Sequence, residues 1–225
     1  MPAQPGLPDG VAVARFADRR AAGRLLAAQL ASFAGRDDVV VLALPRGGVP
    51  VAYEVVLALR APLDLLLVRK LGVPGHEELA FGAIASGGVR VLNTDVLAEA
   101  RLTSAQIEQI TIAQQRELER REALYRGERP PLQLRGTTAL IVDDGLATGA
   151  TMRAAVAAVR RLDASPVVVA PVAAPSTRAA LARSADAIYC AITAEPFVAV
   201  GLWYEDFEPT SDEEVRELLD AAQHR

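Results

Sequence analysis

Apolar residues fall along this chain in short unbroken runs separated by amphipathic stretches. The run VVVLAL at 39–44 has strand length and no polar alternation, the pattern of a strand buried on both faces of a parallel sheet. Runs at 63–68 (LDLLLV), 138–142, 167–172 and 187–192 predict further strands. Between and around them, residues 18–33, 49–60, 151–162, 176–183 and 212–222 read as helices. Asp18 is placed to cap the first, and Ser211, with Glu214 three residues on, to cap the last. Ser86-Gly87-Gly88 between two apolar segments predicts a hairpin. Residues 96–126 read as largely helical, with Gln114-Gln115 interrupting an apolar stripe and Pro130-Pro131 as the stop. GVPGHEE at 72–78 reads as a mobile loop and residues 1–10 as an irregular arm. Strand–helix alternation predicts an α/β fold with a mainly parallel twisted sheet flanked by helices. Residues 1–225 read as one domain, with about 94–131 as a helical insertion or hood.

Composition narrows the function classes. The 225 residues suffice for one substantial core. A net charge of −4 speaks against a general nucleic-acid binder. No apolar run reaches the length of a membrane span, and the start of the chain has no basic-then-apolar leader, so the expected location is the cytoplasm. Cys190 is the single cysteine and His76 and His224 the only histidines, which excludes a zinc site built on either type. Lys70 is the one lysine beside 23 arginines.

The segment richest in chemistry is ALIVDDGLATGATM, residues 139–152. An apolar strand runs into two adjacent carboxylates, Asp143 and Asp144, at the strand end where open α/β sheets bind ligands. A glycine-containing turn and a helix start follow. Backbone N–H groups and the helix dipole suit a phosphate there, with hydroxyls from Thr148 and Thr151. Carboxylates cannot grip a phosphate, but they accept hydrogen bonds from sugar hydroxyls and help to position a hydrated Mg²⁺. The segment lacks the lysine of a Walker loop and the spacing of a dinucleotide fingerprint. A sugar phosphate is therefore the expected ligand.

The apolar run, acidic pair and TGxT loop resemble the signature of type I phosphoribosyltransferases. With PRGGVPVA, RKLGVPGHEELAFGAIA and AVGLWYEDFEPTSDEEV, they resemble a bacterial branch of predicted phosphoribosyltransferases. Some members of that branch carry a fused hydrolase-like domain, for which 225 residues are too few. The resemblance implies that Asp143 and Asp144 hold the ribose hydroxyls of phosphoribosyl pyrophosphate (PRPP). It implies that Ala147, Thr148, Gly149, Ala150 and Thr151 hold the 5′-phosphate, and that Arg46, Gly47 and Gly48 form the pyrophosphate loop, where the family often has a non-proline cis peptide. Arg69 and Lys70 would also meet pyrophosphate, and residues 72–81 would be the flexible loop that closes over the site. Mg²⁺ would be held mainly by PRPP, with help from Asp143 and Asp144.

The acceptor is expected to be a nitrogenous base. The family's 6-oxopurine enzymes place an aspartate where this chain has Ala147, which argues against that mode. The ATG form is closer to adenine enzymes, for which Glu77 or Glu78 is a candidate loop carboxylate. Aromatic side chains are few, yet Phe197, Trp203, Tyr204 and Phe207 cluster at what reads as the end of a late strand. Phe197, Trp203 and Tyr204 are candidate stacking residues for the acceptor, with a C-terminal core anchor as the equal alternative. Transfer of ribose 5-phosphate from PRPP is the leading expectation, and a non-catalytic PRPP-sensing regulator the alternative. Oligomers are common in the family, so a homodimer is among the expected assemblies.

Overall fold

The computed structural model describes residues 15–127, 129–131 and 133–223, with the side chains of residues 77 and 78 outside that description. The expected arm at residues 1–10 and His224 lie outside the described residues.

Five strands form a parallel sheet: β1 (Val39–Ala43), β2 (Leu63–Leu65), β6 (Thr138–Val142), β7 (Ser165–Ala173) and β8 (Ala187–Thr193). Their order is β2-β1-β6-β7-β8, so the sequence leaves the sheet after β2 and returns beside β1. The excursion builds a three-stranded antiparallel sheet from β3 (Val68–Val73), β4 (His76–Ala85) and β5 (Val89–Leu92). Two helices follow, α3 (Thr94–Ala100) and α4 (Ser104–Arg126). The remaining helices are α1 (Arg19–Gln29), α2 (Gly48–Leu59), α5 (Ala150–Arg161), α6 (Pro175–Leu181) and α7 (Asp212–Gln223).

The continuous apolar runs follow from burial on both faces. Val39, Val41, Ala43, Leu140 and Val142 point to one side, where α1, α2 and α7 cover them. Val40, Leu42, Ala139 and Ile141 point to the other, against Met152, Ala155, Val156 and Val159 of α5. Asp18 caps α1 by accepting the Ala21 N–H at 2.6 Å, and Ser211 accepts the Glu214 N–H at 3.0 Å.

Three expectations need correction. The run at 63–68 is two strands, because the backbone turns at Leu66–Leu67 and Val68 begins the antiparallel sheet, pairing with Ala85. Residues 72–81 are strand on both sides of a short turn rather than a wholly irregular loop, with register shifts between Leu71 and Gly72 and between Gly72 and Val73. Gly72 pairs with Ala80 and Val73 with His76 around a turn at Pro74-Gly75, where Gly75 has φ +78°. The insertion breaks at Arg101 (φ +49°), and α4 starts on a capping box of Thr103 with Gln106, so Gln114-Gln115 lie inside a continuous helix that ends at Gly127.

Leu118 and Tyr125 are the buried residues of α4. Leu118 is fully buried, and the Tyr125 hydroxyl donates to Asp212 Oδ1 of α7 at 2.6 Å. Burial and that carboxylate push the Tyr125 phenol up to about 12. Leu118→Ala is expected to cost about 2–5 kcal/mol, read as a lower urea midpoint.

Candidate active site

The site begins with the pairing of β1 and β6. Ala43 lies opposite Val142, and the Leu44 N–H donates to Val142 O at 2.9 Å. The loops leaving both carboxyl ends must therefore share one small space. They do so through glycines. A Cβ at Gly48 would sit 2.6 Å from Val142 O, and one at Gly47 would enter the Asp144 carboxylate. Gly47 has φ −60° and ψ −30°, so close approach, not an unusual dihedral, demands its missing side chain. The Pro45–Arg46 peptide is cis. Arg46 is exposed, with Nη1 3.7 Å from Asp212 Oδ1.

Asp143 and Asp144 stand beside this loop, partly buried. The Asp143 N–H donates to Val169 O at 3.2 Å, and the Asp144 N–H to Asp143 Oδ1 at 2.9 Å. Burial, then the neighbouring Asp144 charge, raises the Asp143 carboxyl well above the usual range. Burial raises Asp144 as well, against the opposing pull of Arg19. The Arg19 Nε donates to Asp144 Oδ2 at 2.9 Å, and the Tyr204 hydroxyl donates to Asp144 O at 2.6 Å. Burial, reinforced by the Asp144 charge, also pushes the Tyr204 phenol up.

Five residues on, the chain turns into α5. Gly149 takes φ +67° as the residue before the helix, and no side chain caps that helix by a short hydrogen bond among the described residues. The Ala150 N–H reaches Thr148 Oγ1 only at 3.5 Å, a weak contact. Ala150 and Thr151 thus present N–H groups at a helix start of twelve residues, the geometry that binds phosphate. β7 holds the turn from beneath: the Leu146 N–H donates to Val172 O and the Ala174 N–H to Leu146 O. Arg153 Nη1 also donates to Thr148 O at 2.7 Å.

Arg69 and Lys70 belong to β3 of the antiparallel sheet rather than to the end of a parallel strand. Both line a cavity of about 520 Å³ that also reaches Thr151 and Gln114. Arg69 Nε donates to Gln114 Oε1 at 2.9 Å, which ties the insertion to the site.

The aromatic cluster divides. Phe197 is partly exposed and lines a second cavity of about 520 Å³ together with Ala147, Thr148, Arg153 and Thr177. It stacks on Trp203 at 6.5 Å between ring centroids. Trp203 and Tyr204 are buried in a cluster with Phe16 and Val172, and Tyr204 lies between Phe16 and Phe207. Trp203 Nε1 has no hydrogen-bond partner among the described residues. Residues 197–204 form no strand; a 3-10 turn runs through Val200–Trp203. Glu78 has its backbone in β4, in the stretch where the pairing with β3 shifts register, and its side chain lies outside the description.

Sequence reasoning missed Arg19, Gln114 and Arg153. Each is one of many arginines or glutamines by composition, and only contact across the fold marks it. No cluster of three or more His, Cys, Asp or Glu side chains suited to a metal occurs among the described residues. Among those residues, too, no helix is long and apolar enough to cross a membrane.

Residues 15–200 match the model of the phosphoribosyl transferase domain. Two Mycobacterium tuberculosis proteins, Rv0571c of strain H37Rv and MT0597 of strain CDC 1551, have names that carry phosphoribosyl transferase as a provisional assignment. Each is 50% identical to this chain over 211 residues, which are 93% of the chain. The match spans 47% of each relative, so the chain accounts for about half the length of those proteins. The crystal structure of TT1426 from Thermus thermophilus superposes with a TM-score of 0.83 at 41% identity, covering 91% of this chain and 97% of that one. By the extent of the domain match and of these identities, the chain belongs to the phosphoribosyl transferase domain family.

Proposed function

We propose that the chain transfers ribose 5-phosphate from PRPP to a nitrogenous acceptor, releases pyrophosphate, and works in the cytoplasm. The observation that carries this reading is the meeting of three unlike elements at adjacent strand ends. They are a glycine backbone loop beside Arg46, a carboxylate pair, and a helix N-terminus without a short side-chain cap. Each suits one part of PRPP: pyrophosphate, ribose hydroxyls and 5′-phosphate.

The N–H groups of Ala150 and Thr151 would receive the 5′-phosphate, with the hydroxyls of Thr148 and Thr151 beside them. Asp143 and Asp144 would accept hydrogen bonds from the ribose 2′- and 3′-hydroxyls and fix the ring. As the C1–O bond breaks, positive charge grows on the ribose, and the anionic pair lowers its energy. Arg46, Arg69 and Lys70 would receive the charge of the departing pyrophosphate. Mg²⁺ fits this donor set as a partner of PRPP rather than as a resident ion, because the chain supplies two adjacent carboxylates and no fuller cluster among the described residues. Its chemistry would be to neutralise pyrophosphate charge. The acceptor would lie against Phe197, with Trp203 as the buried support behind that ring and Tyr204 holding the Asp144 carbonyl.

Calorimetric titration of PRPP with Mg²⁺ tests this reading. Saturable binding, with pyrophosphate release when one of a panel of bases is added, is the expected result. Binding without release for any base would replace the transferase with a PRPP-sensing regulator, and no binding at millimolar PRPP would remove the ligand assignment.

A further inference from the structure

We infer that Arg19 is a positioning residue for the ribose carboxylate Asp144, and that it sets how tightly PRPP is held. The inference rests on the PRPP reading above. Arg19 is the first residue of α1 and is 125 positions from Asp144 in sequence. Its side chain is 11% exposed and that of Asp144 16%, so their contact is largely shielded from water.

Three contacts fix the guanidinium. Nε donates to Asp144 Oδ2 at 2.9 Å, and Nη1 donates to Glu208 O at 2.7 Å. Its Cζ lies over the Phe207 ring, 3.9 Å from the centroid, a distance that suits cation–π attraction. A Cβ at Gly47 would stand 3.3 Å from Nε, so the same group lies beside the candidate pyrophosphate loop. Arg19 therefore sits where the candidate pyrophosphate and ribose subsites adjoin, held from the C-terminal side by residues 207 and 208.

Two adjacent carboxylates in a partly buried place repel each other, and each is costly to desolvate. A fixed cation on the outer oxygen of one lowers both costs. It also holds one Asp144 rotamer, with Oδ2 bound to Arg19 in advance of ligand. Because that order exists before ligand arrives, PRPP need not create it, and affinity rises by the ordering cost avoided. A lysine could reach Asp144 but could not also form the second, directed bond to Glu208 O while keeping a planar cation over Phe207.

The test is PRPP affinity, with Mg²⁺, for the full chain and three variants. Arg19→Gln is expected to weaken binding roughly tenfold, within the range for losing a charge-assisted hydrogen bond. Arg19→Lys should restore affinity to within about threefold of the parent by keeping the charge. Phe207→Leu should lower the melting temperature yet leave affinity within about twofold, because it removes the stack and spares the ion pair. Parent affinity in Arg19→Gln would overturn the inference. So would an equal loss in all three variants, which would assign the effect to the C-terminal segment. If Arg19→Gln does not fold, the contrast between Arg19→Lys and Phe207→Leu decides alone: a larger loss for Phe207→Leu overturns it. Absence of PRPP binding by the parent would overturn the PRPP reading itself and this inference with it.

Discussion

Asp143→Asn is expected to raise the melting temperature of the ligand-free protein while lowering kcat/KM for PRPP about 100-fold, or about 2.7 kcal/mol. Both effects come from one carboxylate. In the folded chain, burial and the Asp144 charge hold the Asp143 carboxyl well above its usual range. A carboxyl whose pKa is higher folded than unfolded makes the native state bind more protons than the unfolded chain. Stability then falls as pH rises through the interval between the two values. Above the raised titration of the folded carboxyl, the native protein carries that cost in full. Asparagine removes the charge and keeps an oxygen to accept the Asp144 N–H. A gain of roughly 2–4 °C would match about 1 kcal/mol for a domain of this size.

The sign gives the pH window. The advantage of Asp143→Asn should be largest above the raised titration of the folded carboxyl, shrink as pH falls through it, and vanish below about pH 4, where the parent carboxyl is protonated in both states. Asp144→Asn should behave differently, because it leaves the largely buried Arg19 without its carboxylate. Thermal melts of both variants across pH, beside PRPP kinetics, check this. Equal stabilisation by the two variants would show that Arg19 does not neutralise Asp144.

Gly48→Ala is the second large effect. An added Cβ would meet Val142 O at 2.6 Å and Asp143 Cα at 3.0 Å, and both are backbone atoms that no side-chain rotation can move. The start of α2 would have to lift from the end of β6. Overpacking of this kind costs about 2–3 kcal/mol, or a fall of about 4–12 °C in Tm. Gly47→Ala meets a side chain instead, the Asp144 carboxylate. It should cost less stability per clash but disturb the Arg19 pair directly. Calorimetric melting of the two variants separates these outcomes. A Gly48→Ala protein as stable as the parent would mean that the two strand ends are less closely joined than described.

Much of this architecture is legible in the residues. The runs at 39–44 and 138–142 are apolar on successive positions because both sheet faces are covered, and they read as buried strands for that reason. The acidic pair and the TGAT turn lie within residues 143–151, so their placement needs only the strand before and the helix after. The division of 63–68 is not legible, since no Gly or Pro marks the turn at Leu66–Leu67 and both halves are buried. Gly72, Pro74 and Gly75 suggest an irregular loop, yet cross-strand pairing extends to Val73 and His76 around them. Local composition cannot report such pairing. The aromatic cluster is visible as composition, but which ring faces a cavity depends on tertiary packing: Phe197 does, while Trp203 and Tyr204 are enclosed. Arg19 and Gln114 act across 125 and 45 positions, distances at which sequence pattern carries no signal.

The strand order has a consequence for how the chain acquires its site. Ala43 and Val142 are direct neighbours, yet the second sheet and the whole helical insertion are threaded between them in sequence. Closing so long a loop carries an entropic cost before any pairing compensates it. Neither the glycine loop nor the carboxylate pair has its partner until β1 and β6 zip together. Competence to bind ligand should therefore emerge with completion of the central sheet during folding, and not with its earlier local pieces.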